Sequence, residues 1–262
     1  MQVAWLTPQW PAPAAVCALS TLRGGGVSAA PFASLNLAAH VGDAPAAVAE
    51  NRRRLRAAAG LPAEPAWLAQ VHGALILDLD AGVTTGVVTG VATGVAAGAA
   101  AGPADGAVTR TPGRVCAILA ADCLPILFAT ESGDAVAAAH AGWRGLAGGV
   151  IEAIVRSLAA APPSLLAWLG PAIGPRHFEV GPEVRDELLR GDPQADEALA
   201  ENARGRYMAD LYVLARRRLA KLGVERVYGG GECTFSRSDK YFSHRRDGQS
   251  GRQATLIWLR DA

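Results

Sequence analysis

The densest apolar stretch of the chain is residues 115–128, VCAILAADCLPILF, which is too continuous for a half-exposed strand. It reads as a strand buried on both faces and interrupted by Asp122, Cys123 and Pro125. A second, shorter apolar run follows at 135–139, and Thr130, Glu131, Ser132, Gly133 and Asp134 between the two are turn residues. The pair is therefore expected to form an antiparallel hairpin. A turn centred between Glu131 and Ser132 places Phe128 opposite Ala135 and Cys123 opposite His140, on one face, with Cβ atoms about 5 Å apart. Pro125 cannot donate to a ladder, which predicts a bulge or an edge position beside Cys123.

The same patterning predicts helices over 44–59, 146–160 and 210–222. The first has Asp43 as N-cap, Pro45 in its first turn, Val48 and Leu55 on its buried face and Gly60 at its end. The second carries the stripe Leu146, Val150, Ile154 and Leu158. Strands are expected at 16–22, 165–169, 224–228 and 254–259, and at 67–79 with a break at Gly73. Residues 186–199 are charged and read as a surface helix plus loop. From 82 to 102 the chain becomes GVTTGVVTGVATGVAAGAAAG, uncharged and low in side-chain volume, which reads as a mobile or weakly paired loop without chemistry. The expected architecture is α+β, in layers: a single domain spanning 1–262, with mixed, largely buried sheets flanked by helices.

With 262 residues the chain can bury a sizeable core without staples. A net charge of +1 gives no footprint for nucleic acid or an anionic membrane, so neither is expected as a partner; a small-molecule substrate fits better. The four cysteines, at 17, 116, 123 and 233, form no CxxC pair. That argues against a zinc ribbon or a disulfide scaffold and for a reducing, cytoplasmic setting. The first residues lack the basic and apolar regions of a signal peptide, and no run approaches the ~18 apolar residues of a membrane span. Oligomeric state is not legible.

Candidate chemistry gathers on Cys123, His140 and His72. A thiolate and an imidazole on one hairpin face can share a metal ion or act as nucleophile and base; the plain alternative is a structural cysteine beside a hydrogen-bonded core histidine. Two histidines and one cysteine make a donor set that suits Zn2+, with copper possible, and leave a position for water. Asp105 is a candidate to orient a metal-bound histidine. His177 and Glu179, in the loop after 165–169, are candidates for acid or base work. Arg52 on the first helix, Arg144 at a helix start and Arg246 in the aromatic, basic stretch YFSHRRDGQSGR are candidates for holding an anionic substrate.

QVHG at 70–73, ADCLP at 121–125 and HAGWRG at 140–145 together resemble the laccase-domain family, also described as polyphenol oxidoreductases and as purine nucleoside phosphorylases. PFASLNL at 31–37, VGD at 41–43, LGPAIGP at 169–175, FEVGPEV at 178–184 and FSHRRDG at 242–248 extend the resemblance over nearly the whole chain. The resemblance implies zinc ligation by His72, Cys123 and His140. It also implies phosphorolysis of adenosine, inosine and methylthioadenosine, and hydrolytic deamination of adenosine, with a nucleoside and phosphate as partners. Alternatives from other classes are a zinc- or cysteine-dependent amide hydrolase acting on peptidoglycan precursors, a copper-dependent phenol oxidase, and a metal-binding protein without activity. The TGV tract departs from the family's pattern and bears on the pocket rim.

Overall fold

A computed structural model of the protein describes residues 2–86 and 101–260. Two mixed sheets carry the architecture. The first is six-stranded, in the order Trp5–Leu6, Val16–Thr21, Gln253–Leu259, Val115–Ala120, Ala66–Ala69 and Ala101–Pro103. The second is seven-stranded, in the order Arg226–Gly229, Leu165–Leu169, Leu124–Thr130, Val136–Ala141, Gly106–Thr109, Ile76–Asp78 and Val83–Thr85.

The sheets face each other across a dry layer. There Leu68, Cys116, Ile118 and Ile257 of one meet Leu127, Ala129, Val136 and Trp168 of the other. Helices Val150–Leu158, Pro182–Gly191 and Leu211–Lys221 cover the outer face of the seven-stranded sheet. Helix Pro45–Ala59 and the segment bearing Leu35 and Leu37 cover the other. This four-layer α+β arrangement explains the unbroken apolar runs, because strands covered on both faces have no side for polar residues. Every residue of Val115–Ala120, Leu124–Thr130 and Val136–Ala141 is buried.

Several expectations change at this level. Residues 115–128 are two strands, one in each sheet, and the chain passes between the sheets at Asp122, whose φ of 92° makes the turn. Residues 67–79 divide in the same way: Ala66–Ala69 belongs to the six-stranded sheet and Ile76–Asp78 to the seven-stranded one. The central hairpin pairs Val136 with Ala129 and His140 with Pro125. Its turn lies one residue later than expected because Gly133 takes a left-handed φ of 73°. The side chain of Thr130 accepts from Asp134 N–H and Ala135 N–H and lengthens the loop. Cys123 therefore falls just outside the strand rather than opposite His140. The slip is two residues, so the side chains keep the same face.

Pro125 sits at the start of an interior strand, not at an edge. Its carbonyl accepts from Gly170 N–H, and Gly170's own carbonyl takes the Tyr212 hydroxyl where a proline donor is missing. The helix expected at 146–160 is two helices, Trp143–Ala147 and Val150–Leu158, separated where Gly149 adopts a φ of 85°. Asp43 is not a helix cap: Ala44 holds that position, and the Asp43 carboxylate accepts from Ser28 and Asn36 instead. Of the TGV tract, residues 87–100 lie outside the described residues; its described ends lie in strands Val83–Thr85 and Ala101–Pro103.

Candidate metal centre

The two passages between sheets and the end of one strand meet at a single point. His72 lies on the first passage, Cys123 on the second, and His140 near the end of strand Val136–Ala141. One ligand atom from each lies within 4.8 Å of the others. The imidazole rings of His72 and His140 stand edge to face, with centroids 4.8 Å apart. Gly142 follows the strand, and a Cβ there would meet Cys123 Sγ at 2.8 Å, so only glycine lets the thiol lie across the backbone.

Asp105 organises the cluster from behind. Fully buried, its carboxylate accepts from His72 N–H at 2.8 Å, from Gly73 N–H at 2.7 Å and from His140 Nδ1 at 3.1 Å. The first two bonds hold His72 at a φ of 60°, unusual for a residue with a Cβ. The third fixes the His140 ring and leaves its Nε2 toward the cluster. Burial pushes the Cys123 thiol up, but the facing His140 charge and hydrogen bonds from both histidines outweigh it and lower the thiol below its ordinary range. Burial pushes His140 down, and the Cys123 thiolate and Asp105 raise it overall. The lowering at Cys123 favours the thiolate, the ligand form of sulfur.

A cavity of about 130 Å³ opens on Cys123. Trp143, Ile173, Phe178 and Leu211 make its apolar wall, and Asp122, His244 and Arg245 its polar one. Asp122 ties three segments together: it accepts from Thr234 Oγ1 at 2.6 Å and Arg245 N–H at 2.7 Å, and its carbonyl accepts from Ile173 N–H. The Arg245 guanidinium lies over the Phe178 ring and donates to Glu179 O. On another side, the charges of Arg252, Arg52, His72 and His140 add to burial in lowering His40.

The chain is matched from residue 17 to 260 by the family model described as multi-copper polyphenol oxidoreductase laccase. It belongs to this family. Among relatives, the purine nucleoside phosphorylase YfiH of Escherichia coli is 50% identical over 254 residues, covering 97% of this chain and 98% of its own. A purine nucleoside phosphorylase of Pseudomonas aeruginosa is 52% identical over 259 residues, covering 98% and 99%. Of solved structures, protein NMB0706 of Neisseria meningitidis superposes with a TM-score of 0.89 at 44% identity, covering 98% of this chain and 99% of that one. YlmD from Geobacillus stearothermophilus gives 0.87 at 36% identity, covering 98% and 96%.

Within this laccase-family chain, the other expected site residues are placed as follows. Arg52 donates twice to Leu37 O and stacks on Trp67, holding helix Pro45–Ala59 to the loop before it. Arg144 is exposed and lies over the ring of Trp143, a wall of the cavity. Arg246 spends its donors on the carbonyls of Thr234, Phe235 and Tyr241 and on Asp247, and does not line the cavity. Glu179 is engaged by Asn202, Arg204 and Arg206 and does not line the cavity on Cys123. Sequence reasoning gave Asp122 no role, and within the stretch YFSHRRDGQSGR it singled out Arg246 rather than Arg245, which lines the cavity, or Arg252. Arg252 is brought near Cys123, and Asp122 is joined to Thr234 and Arg245, only by contacts far apart in sequence; the available signals were an aspartate beside the cysteine and a run of two arginines.

Proposed function

We propose that this protein is a metal-dependent purine nucleoside phosphorylase, with zinc held by His72, Cys123 and His140. The observation that carries the reading is the His72–Cys123–His140 cluster, whose Cys123 lines a largely apolar cavity with Asp122, His244 and Arg245 on its polar wall. Two imidazoles and a thiolate suit a borderline-soft ion; the lowered thiol favours the thiolate donor, and the Asp105 hydrogen bond to Nδ1 turns His140 Nε2 toward the cluster. When bound, the ion would acidify a water and polarise the group that approaches it.

The protein's own residues do the rest. Trp143 and Phe178 offer apolar ring surface to a purine, and Arg245, over the Phe178 ring, supplies a charge beside it. Asp122 fixes the Arg245 backbone and the loop carrying Thr234, so the cavity wall is held before substrate enters. Arg252, on which the charges of Cys123 and Asp122 act, offers positive charge near the cluster for phosphate. The expected activities are phosphorolysis of adenosine, inosine and methylthioadenosine, and hydrolytic deamination of adenosine. The setting is proposed as cytoplasmic; among the described residues no helix is long and apolar enough to cross a membrane.

The test is release of hypoxanthine from inosine as a function of phosphate, on protein of known metal content, with Cys123→Ala beside the wild type. Phosphate-dependent release that tracks zinc and falls by 100-fold or more in Cys123→Ala supports the reading. Zinc-loaded protein that releases no base would sink it. Release that tracks copper would keep the site and replace the ion. Activity in metal-free protein, lost on alkylation of Cys123, would transfer the chemistry to the thiolate–imidazolium pair and to the amide-hydrolase class.

A further inference from the structure

A second cluster of reactive side chains lies outside the metal centre. Cys233, Ser236 and His177 come together from two loops: the Ser236 hydroxyl is 3.4 Å from Cys233 Sγ and 2.9 Å from His177 Nε2. The His177 ring is stacked on Phe235, centroids 4.3 Å apart and planes 14° from parallel, which holds Nε2 toward the serine. Gly174 N–H points at the sulfur from 3.2 Å. Cys233 is half-buried and lines a cavity of about 340 Å³ with Pro175, Arg176, Asp210, Tyr212 and Ser236. None of these groups takes part in the metal centre.

We propose that Cys233 is a modification site for small, carboxylate-bearing disulfides, with Ser236 and His177 as its proton relay. The thiol proton passes to Ser236 Oγ as the serine proton passes to His177 Nε2. The thiolate attacks one sulfur of the disulfide, the reagent's S–S bond breaks, and a bond forms between that sulfur and Cys233 Sγ. The other half leaves as a thiolate, so the disulfide is the oxidant and is reduced by two electrons. Gly174 N–H and Ser236 stabilise the anion at sulfur, and Arg176 on the rim gives the reagent's carboxylate a partner.

The charged and titratable groups facing the sulfur are His177 and Arg176 from the loop of residues 170–178, Asp210 and Tyr212 from the head of helix Leu211–Lys221, and Glu232 beside it in sequence. Asp210 caps the helix through Tyr212 N–H and Val213 N–H, and the Tyr212 hydroxyl is held by Ala172, Gly170 and Glu232. Neither is free to take the thiol proton. Burial raises the Cys233 thiol, and the hydrogen bonds from Ser236, Gly174 and Phe235 bring it below its ordinary range.

Lowering a thiol by one pKa unit gives about tenfold more thiolate at neutral pH and about threefold less intrinsic nucleophilicity, a net gain of about threefold. The test incubates the full-length protein with oxidised glutathione over a range of pH and follows the adduct on each cysteine peptide by mass spectrometry. Buried Cys116, which burial pushes well above the ordinary thiol range, is the internal blank. Cys233 should be modified while Cys116 is not, with a pH midpoint below the ~8.5 of a free thiol. Ser236→Ala, at an exposed position, and His177→Gln should each slow the reaction about threefold and move the midpoint upward. A Cys233 that stays unmodified, or whose rate and midpoint are the same in both variants, would overturn the proposal. The readout does not depend on nucleoside turnover, so it stands or falls separately from the proposed activity.

Discussion

Asp105 shows how one buried carboxylate can set a site without entering it. Both its oxygens are committed to backbone N–H groups of His72 and Gly73, and one also takes His140 Nδ1. Asp105→Asn keeps the volume but turns an NH2 toward a backbone N–H, leaving two donors face to face in a dry place. The expected result is a loss of about 10- to 100-fold in zinc affinity, read by competition with a chromogenic chelator, with about 1–3 kcal/mol lost from stability. An affinity equal to the wild type's would show that His72 and His140 need no support from Asp105. The three candidate ligands were legible in the sequence because cysteine and histidine are conspicuous inside apolar runs. Asp122 and Arg252 were not, because their roles depend on neighbours more than 100 positions away: Asp122 binds Thr234 and Arg245, and its charge and that of Cys123 act on Arg252.

At the scale of elements, Asp192 joins three pieces. It ends helix Pro182–Gly191, accepts from Gln194 N–H at the head of the 3-10 turn Pro193–Ala198, and pairs with Arg217 and Lys221 of helix Leu211–Lys221. Burial pushes its carboxyl up, yet hydrogen bonds from Lys221 and Arg217 outweigh this and hold it below the ordinary carboxylate range. A depressed folded-state value means stability that is present above the unfolded value, about 3.9, and lost as pH falls toward the folded one. Asp192→Asn should therefore cost about 1–3 kcal/mol at pH 7. The gap to wild type should narrow once the pH drops below about 4, as urea titrations at both pH values would show; a gap unchanged by pH would place the effect outside ionisation. Helix starts and stops were read well where the signal is local, as at Pro45, Gly60 and Asp210. The passages between sheets were hidden. Strands on either side of a dry layer are equally apolar, so hydrophobicity runs on through Asp122 although the chain has changed sheets.

For the whole molecule, those two passages matter more than any strand. His72 and Cys123 each sit where the chain leaves the six-stranded sheet for the seven-stranded one, and His140 belongs to the latter. An ion bound by all three would clamp the two layers at one edge. Such a site exists only in the folded chain, so binding adds stability by mass action: about 2.7 kcal/mol at a free zinc concentration 100 times Kd. For a chain of this size, each kcal/mol corresponds to about 2–4 °C in Tm. Zinc should therefore raise Tm by about 5–10 °C over protein treated with a chelator, and the shift should vanish in Cys123→Ala, which keeps the fold because Cys123 lies outside both flanking strands. Calorimetry or a dye-based melt reads the difference without any substrate. A wild-type shift no larger than that of Cys123→Ala would mean that the three residues do not hold zinc together. A full shift without nucleoside turnover would leave the metal centre in place and remove the phosphorylase reading.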